Sequence, residues 1–533
     1  MKIQKNLTIV PVVMGFFALT QVVMLMQTHH NVLDFDTPEE YNLKLQNHST
    51  HRHEDHETND SSTKSIERND AKSNTATQSL SNIHPDGHFN SQPIIHKKFE
   101  AGWHSNVHCI GENFSKDSWK YRSCQFQNLC FDMQNQSFVL FTSPEQSRLE
   151  EALRDANLTE VDVSFSMNTT VSIGGLNMKW SESDTSHMEW FPRLVHTTGD
   201  IEKEGYYSFV NDVVLTPFHS LGGFNPGHLV WDDFLPIYTL LTMFQLLDKD
   251  LVLMRYKPKF WQWASCDRRW NSGRDPHCKN ILKKFLPLIG QDLDRMTTQE
   301  NVNMTWSQDK SANVNASRYV CAANGVAGMG MITDHGGKLH GWDKADYKVT
   351  QNIGRGGVLY EFRNWMMNNI DVAPHKAISK APYKVVFNVH SSSTSIRSVH
   401  FNDHIKIVKE RIGLKYDVDV QVVTMSHLSL VEQVDLVSGA TILVTMCGGG
   451  AVTSMFLPKG ASLFVFFNED ERSGTGNAMP RLDWDLLNNL SHIRTHWLPR
   501  PQRYGTKLEG PRAADFEAFA RLVEHELDVV SFT

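Results

Sequence analysis

The chain has 533 residues, 40% of them hydrophobic and 13 of them Trp, too many for one ordinary domain and enough for two or three cores. Its 52 Lys and Arg against 60 Asp and Glu leave a net charge of −8. With that balance and no basic block, nucleic acid is not an expected partner.

In chain order, the first feature is a membrane signal. Lys2 and Lys5 precede an apolar stretch over 6–26, close to the ~20 residues that cross a bilayer. Positive charge on the short side orients the N-terminus to the cytosol and the remainder to the lumen. A cleaved signal peptide is the rival reading, but Ala18-Leu19-Thr20 is a poor cleavage site and apolar residues continue past it. Residues 1–26 are therefore expected to be a cytosolic tip and an uncleaved anchor. Beyond it, Asn-x-Ser/Thr acceptors from Asn47 to Asn489 and all of the cysteines suit an oxidising lumen.

Residues 27–98 are polar and too poor in apolar side chains to bury a core, so they read as a disordered stem. His48, His51, His53 and His56 within it are polar filler rather than a metal tract. An N-terminal lobe over 99–375 follows. Cys109, Cys124 and Cys130 lie among aromatics up to Asp132, which suits a disulfide-stapled entry. Cys266 and Cys278 are the favoured pair; the other connectivities stay open, and Cys447 is the odd thiol. Residues 225–247 read as a turn running into a long apolar helix, with Leu240, Met243, Phe244 and Leu247 on one packing face.

Strand and helix patterns then alternate over 376–510. Strands are expected at 383–389 and 418–423, at Ile442 and at Leu463. A helix over 402–412 starts at Asn402 or Asp403, and another over 429–437 opens with the capping box Ser429-x-x-Glu432. This alternation specifies a doubly wound parallel sheet. Residues 511–533 close the chain with a helix carrying Phe516, Phe519, Leu522 and Val523 on one side.

Three places carry chemistry. Cys447-Gly448-Gly449-Gly450 and Ala451 follow a buried strand and open a helical segment, so the backbone can approach a phosphate and present N–H groups to it. In Asn225-Pro226-Gly227-His228 with Asp232 and Asp233, His228 and Asp232 are one helical turn apart and could deprotonate a bound hydroxyl. Arg397, in the loop after the first C-terminal strand, is placed to grip a diphosphate. The Asp-x-Asp pairs at Asp248, Asp292, Asp417 and Asp483 are not beside the glycine turn and read as surface residues, so no metal is assigned. Gly325, Gly328 and Gly330 are not in dinucleotide order and lack a strand-to-helix context.

Jointly, these pieces resemble glycosyltransferase family 61. The resemblance rests on SWKYRSCQFQNLC (118–130), Asn225-x-x-His228-x-x-x-Asp232, Arg397 with Asn402-Asp403, and the strand–turn–helix from Leu428 to Ala461, over about residues 100–510. It implies an α/β, GT-B-like fold of two Rossmann-like lobes with doubly wound sheets. It further implies a nucleotide-sugar donor at Asn225, Arg397, Cys447, Gly448, Gly449, Gly450 and Ala451, and inversion without a required metal. The base is assigned to Asp232, with His228 or Asp233 as substitutes. The acceptor would be a glycan or glycoprotein of the secretory pathway, and the chain a type II Golgi membrane protein, the endoplasmic reticulum being the other location. Familiar members carry His-Gly-Ala where this chain has Cys447-Gly448-Gly449. That departure keeps open a lumenal pseudoenzyme or carbohydrate-binding protein with the same fold.

Overall fold

The computed structural model describes residues 95–532 except 101, 112–117, 174–188, 197–205, 219–222, 224, 256–274, 294–296, 299–317, 329, 331–353, 376–379, 390–400, 469–485, 501–502, 505–506 and 509–512. All described residues belong to one unit, Phe89–Thr533. The expected anchor, most of the stem with its histidines, and Arg397 lie outside them. Among the described residues no helix is long and apolar enough to cross a membrane.

Strand pairing begins inside the span read as stem, at β1 (Ile95–Lys98), which joins a nine-stranded sheet. Its other strands are β2 (Asn106–Gly111), β3 (Arg122–Asp132), β4 (Ser137–Thr142), β5 (Arg193–His196), β6 (Tyr206–Phe218), β7 (Asp250–Arg255), β8 (Thr297–Thr298) and β9 (Tyr319–Gly328). The order is β8-β7-β6-β9-β3-β4-β5, with β1 on β6 and β2 on β3. Strands β8, β7, β6 and β9 run parallel, whereas β3 is antiparallel to β9, β2 and β4. The expectation of a doubly wound sheet in this lobe is corrected: the sheet is mixed. Hairpin-like neighbours such as β3 and β4 need only a short turn, which a purely parallel sheet does not allow.

The stapled entry is present. Cys109 and Cys124 face each other on β2 and β3, Cys130 and Cys321 on β3 and β9, and both pairs are bonded. Cys278 is also disulfide-bonded, and its favoured partner Cys266 lies outside the described residues. Cys447 is in no disulfide, as expected. Buried Asp132 anchors the same region, accepting from Arg193 and Arg318 at 2.9 and 3.0 Å.

The smaller sheet contains β10 (Tyr383–Asn388), β11 (Val418–Val423), β12 (Ile442–Met446), β13 (Ser462–Asn468) and β14 (Arg494–Arg500), all parallel, in the order β11-β10-β12-β13-β14. The central β12 is buried along its whole length, which its run of Ile, Leu and Val suits. The helix Leu430–Ser438 has the expected capping box from Ser429 and Glu432. The helix Asn402–Glu410 and the closing helix Ala513–Phe532 pack Phe401, Phe519 and Val523 into the core. Strand β14 was not read from the sequence.

Gly325, Gly328 and Gly330 do have a strand context, on and just after β9, but they serve packing. A methyl group on each would collide with Leu129, with Ser123, and with Thr239 and Pro236 respectively.

Candidate active site

One helical stretch links the carboxyl ends of the two sheets. It comprises Pro226–His228, a π-helical turn Leu229–Phe234 and the α-helix Leu235–Met243. Asn225 caps its start, its Oδ1 accepting from Gly227 N at 3.0 Å, and Pro226 supplies the preset φ of a first helical residue. The π turn is marked by Leu235 N donating to Val230 O, an i→i+5 bond, a feature common at functional sites. Every residue from Leu229 to Leu241 is buried, and of the predicted packing face Leu240 and Phe244 lie in the core with Met243 packed against it. Leu247, beyond the helix end, is 39% exposed.

The strand order of the smaller sheet reverses between β10 and β12. Ligands of open α/β sheets bind outside the carboxyl ends of the strands at such a reversal. Asn388 closes β10 there and is buried. Its Nδ2 donates to Thr445 Oγ1 at 3.1 Å and its Oδ1 accepts from Met425 N at 3.4 Å, tying together the ends of β10, β11 and β12. Sequence reasoning passed over Asn388; the available signal was a single amide ending an apolar strand.

Strand β12 runs into the glycine turn. Cys447 is buried and its N–H still donates to Phe466 O at 2.9 Å, so the position that departs from familiar members belongs to the end of the sheet. Gly448 has φ 109°, in the left-handed region that a side chain disfavours. Gly449–Phe456 then forms a 3₁₀ helix, with Ala451 N bonded to Gly448 O at 2.7 Å. Gly448, Gly449 and Gly450 are half-buried, while Ala451 is buried.

The two motifs singled out from sequence meet here. A methyl group built on Gly449 would lie 2.7 Å from Asn225 Oδ1, and one on Gly227 would lie 3.6 Å from Gly449 Cα. One turn further, His228 Nδ1 is 2.7 Å from Asp232 Oδ2. The Asp232 side chain is 1% exposed and that of His228 22%, so the imidazole is the member of the pair that solvent reaches. Asp233 is buried too, but lines a separate cavity of about 20 Å³ with Thr216, Phe218, Pro236 and Gly328. That is room for one water molecule. Among the Asp-x-Asp residues, Asp248, Asp250, Asp292 and Asp417 are exposed.

A hydrogen-bonded His–Asp pair beside a glycine turn can take a proton from a hydroxyl and stabilise the imidazolium that results. Residues 281–464, which include the glycine turn but not the His–Asp pair, match the model of the family Glycosyltransferase 61. The resemblance to glycosyltransferase family 61 read from the sequence is thus matched by the family model over these residues. Curated relatives bear the name protein O-linked-mannose beta-1,4-N-acetylglucosaminyltransferase 2. That of Xenopus tropicalis is 23% identical over 65% of this chain and 50% of its own length. That of Tetraodon nigroviridis is 22% identical over 80% of this chain and 63% of its own, and that of Mus musculus 21% over 72% and 57%. The chain spans about half the length of the Xenopus relative. A solved family 9 glycosyl transferase from Veillonella parvula aligns with 60% of this chain and 98% of its own at 8% identity. Its TM-score of 0.25 carries no argument about fold.

Proposed function

We propose that the chain is an inverting glycosyltransferase of GT-B organisation. It moves a sugar, N-acetylglucosamine or a pentose such as xylose, from a UDP-sugar to a hydroxyl of a glycan or glycoprotein. The observation that carries this reading is the His228–Asp232 pair set one helical turn from the contact between Asn225 and Gly449. The names of the curated relatives support the hexosamine among the donors.

In this reading His228 is the base. Its exposure and its bond to a buried carboxylate support that role over Asp232, which orients the imidazole and balances its charge. Asp233 faces a different cavity and is not needed. As the acceptor oxygen attacks the anomeric carbon, its proton passes to the imidazole. The bond to the diphosphate breaks on the opposite face, and N–H groups of Gly449 and Gly450, with Arg397, stabilise the charge that develops. No metal is assigned to this step. The cytosolic tip and anchor over 1–26 would hold the enzyme in the Golgi membrane with its sites in the lumen.

The test is transfer and UDP release by the purified chain across a panel of nucleotide sugars. Release from one UDP-sugar supports the reading, and no release from any donor contradicts it. The second reading, a pseudoenzyme, has one observation in its favour, the buried Cys447 where familiar members carry histidine. It predicts nucleotide binding without turnover.

A further inference from the structure

The 3₁₀ helix that opens at the glycine turn ends on two buried side chains from distant parts of the chain. Arg363, on the helix Gly356–Asn369, is 1% exposed, and its Nη2 donates to Phe456 O at 3.0 Å. Its Nη1 donates to Asn364 Oδ1 at 2.8 Å. His492, just before β14, is 7% exposed with Nε2 3.1 Å from Met455 O. The Tyr360 ring joins them, 5.5 Å from the guanidinium and 5.0 Å from the imidazole. The last carbonyls of the helix are therefore held from two sides.

The two groups differ in charge. Burial, then the guanidinium, pushes His492 down to about 4, so it is neutral near neutral pH. Burial also lowers the pKa of Arg363, but a guanidinium stays protonated in a folded protein. Its hydrogen bonds among the described residues go to a carbonyl and an amide, not to a carboxylate. A buried charge without a carboxylate is costly, and an apolar side chain would pack there at lower cost. Packing therefore does not account for it, whereas its position does: a cation at the carbonyl end is stabilised by the helix dipole, and its own Coulomb field adds positive potential at the glycine turn.

We propose that Arg363 is a positioning residue for the donor diphosphate. It pins the carbonyl end of Gly449–Phe456 and lends its charge, along the helix axis, to the glycine turn. The inference rests on the nucleotide-sugar reading above. At a rise of about 2 Å per residue the helix is roughly 16 Å long. One charge pair at that separation, in an effective dielectric of about 20, changes binding roughly five-fold.

Calorimetric titration of UDP and of uridine into the full chain tests this, well below each variant's melting temperature. Arg363→Gln keeps a polar side chain and removes the charge, while Arg363→Lys keeps the charge. The glutamine variant should bind UDP about five-fold or more weakly and uridine unchanged, and the lysine variant should recover most of the loss. Unchanged UDP affinity in Arg363→Gln overturns the proposal, as does an equal loss for uridine, which marks a general structural role. If the glutamine variant does not fold, Arg363→Lys with UDP affinity lowered as much as uridine affinity overturns it. Wild-type protein that binds neither compound removes the nucleotide reading instead.

Discussion

Gly449 and Asn225 meet across the two sheets, with no room for a methyl group between Gly449 Cα and Asn225 Oδ1. The residue that caps the helix of the proposed base thus rests on the turn of the proposed donor site. A side chain at 449 forces Asn225 Oδ1 or the turn to shift, and a displacement of about 1 Å passed on to the catalytic group costs roughly 10²-fold in rate. Gly449→Ala should therefore lower kcat and donor affinity together, and Gly449→Val should do more. Steady-state kinetics with UDP titration checks this; an alanine variant with wild-type kcat would show that the contact is not coupled to turnover.

Asp232 is proposed to work through His228. Asp232→Asn preserves shape but removes the charge that stabilises the imidazolium, so kcat should fall about 10²-fold or more with UDP affinity unchanged. Asp233→Asn should leave kcat within a few-fold. Equal losses from the two substitutions would contradict the division of roles between these neighbours.

Acid should destabilise the fold in a defined window. Burial pushes both His404 and His492 down to about 4 from an ordinary 6.5. Each is neutral when folded and protonates more readily when unfolded, so the stability they confer is present above pH 6.5 and is lost as pH falls towards 4. At pH 5 the loss should be about 2 kcal/mol per histidine. Burial alone would raise Glu526, but His496, Ser462 and Arg494 hold it at about 2, so its contribution fades only between 4.5 and 2. Denaturant titrations at pH 7 and pH 5 measure the difference. His404 is ringed by Phe401, Phe466, Phe516 and Phe519, so His404→Phe should remove about half of the pH dependence. A stability that is flat over this range would contradict the neutral buried histidines.

Activity is expected to persist in EDTA, because the sequence sets no Asp-x-Asp pair beside the glycine turn, and of the five described members Asp248, Asp250, Asp292 and Asp417 are exposed and Asp419 is half-buried. Transfer measured before and after chelation decides the point. Loss with EDTA and recovery with manganese would replace the metal-free reading.

Much of the smaller sheet was legible because local signals agreed there. The strand at Val418–Val423 and the cap at Ser429 are stated by alternation and by a capping box, which act over a few residues. Strand β14 was missed because Arg494, Thr495 and His496 mask the apolar residues of an edge strand that is only half-buried. The mixed larger sheet was also illegible, since the pairing of β3 with β9 joins residues nearly 200 positions apart, as the Cys130–Cys321 separation of 191 shows. For the site, sequence spacing brought His228 and Asp232 together. It could not show that Asn225 touches Gly449, that Asp232 is the buried partner, or that Asn388 ties three strand ends, because each depends on which elements the fold sets side by side.

In the proposed reaction His228, held by Asp232, accepts the proton of the acceptor hydroxyl. The most direct test is kcat for His228→Gln in a transfer assay with saturating donor, alongside its affinity for UDP. If His228 is the base, kcat falls about 10²-fold or more while UDP affinity stays within about two-fold of wild type. A His228→Gln enzyme that turns over like wild type would contradict it and return the role of base to Asp232.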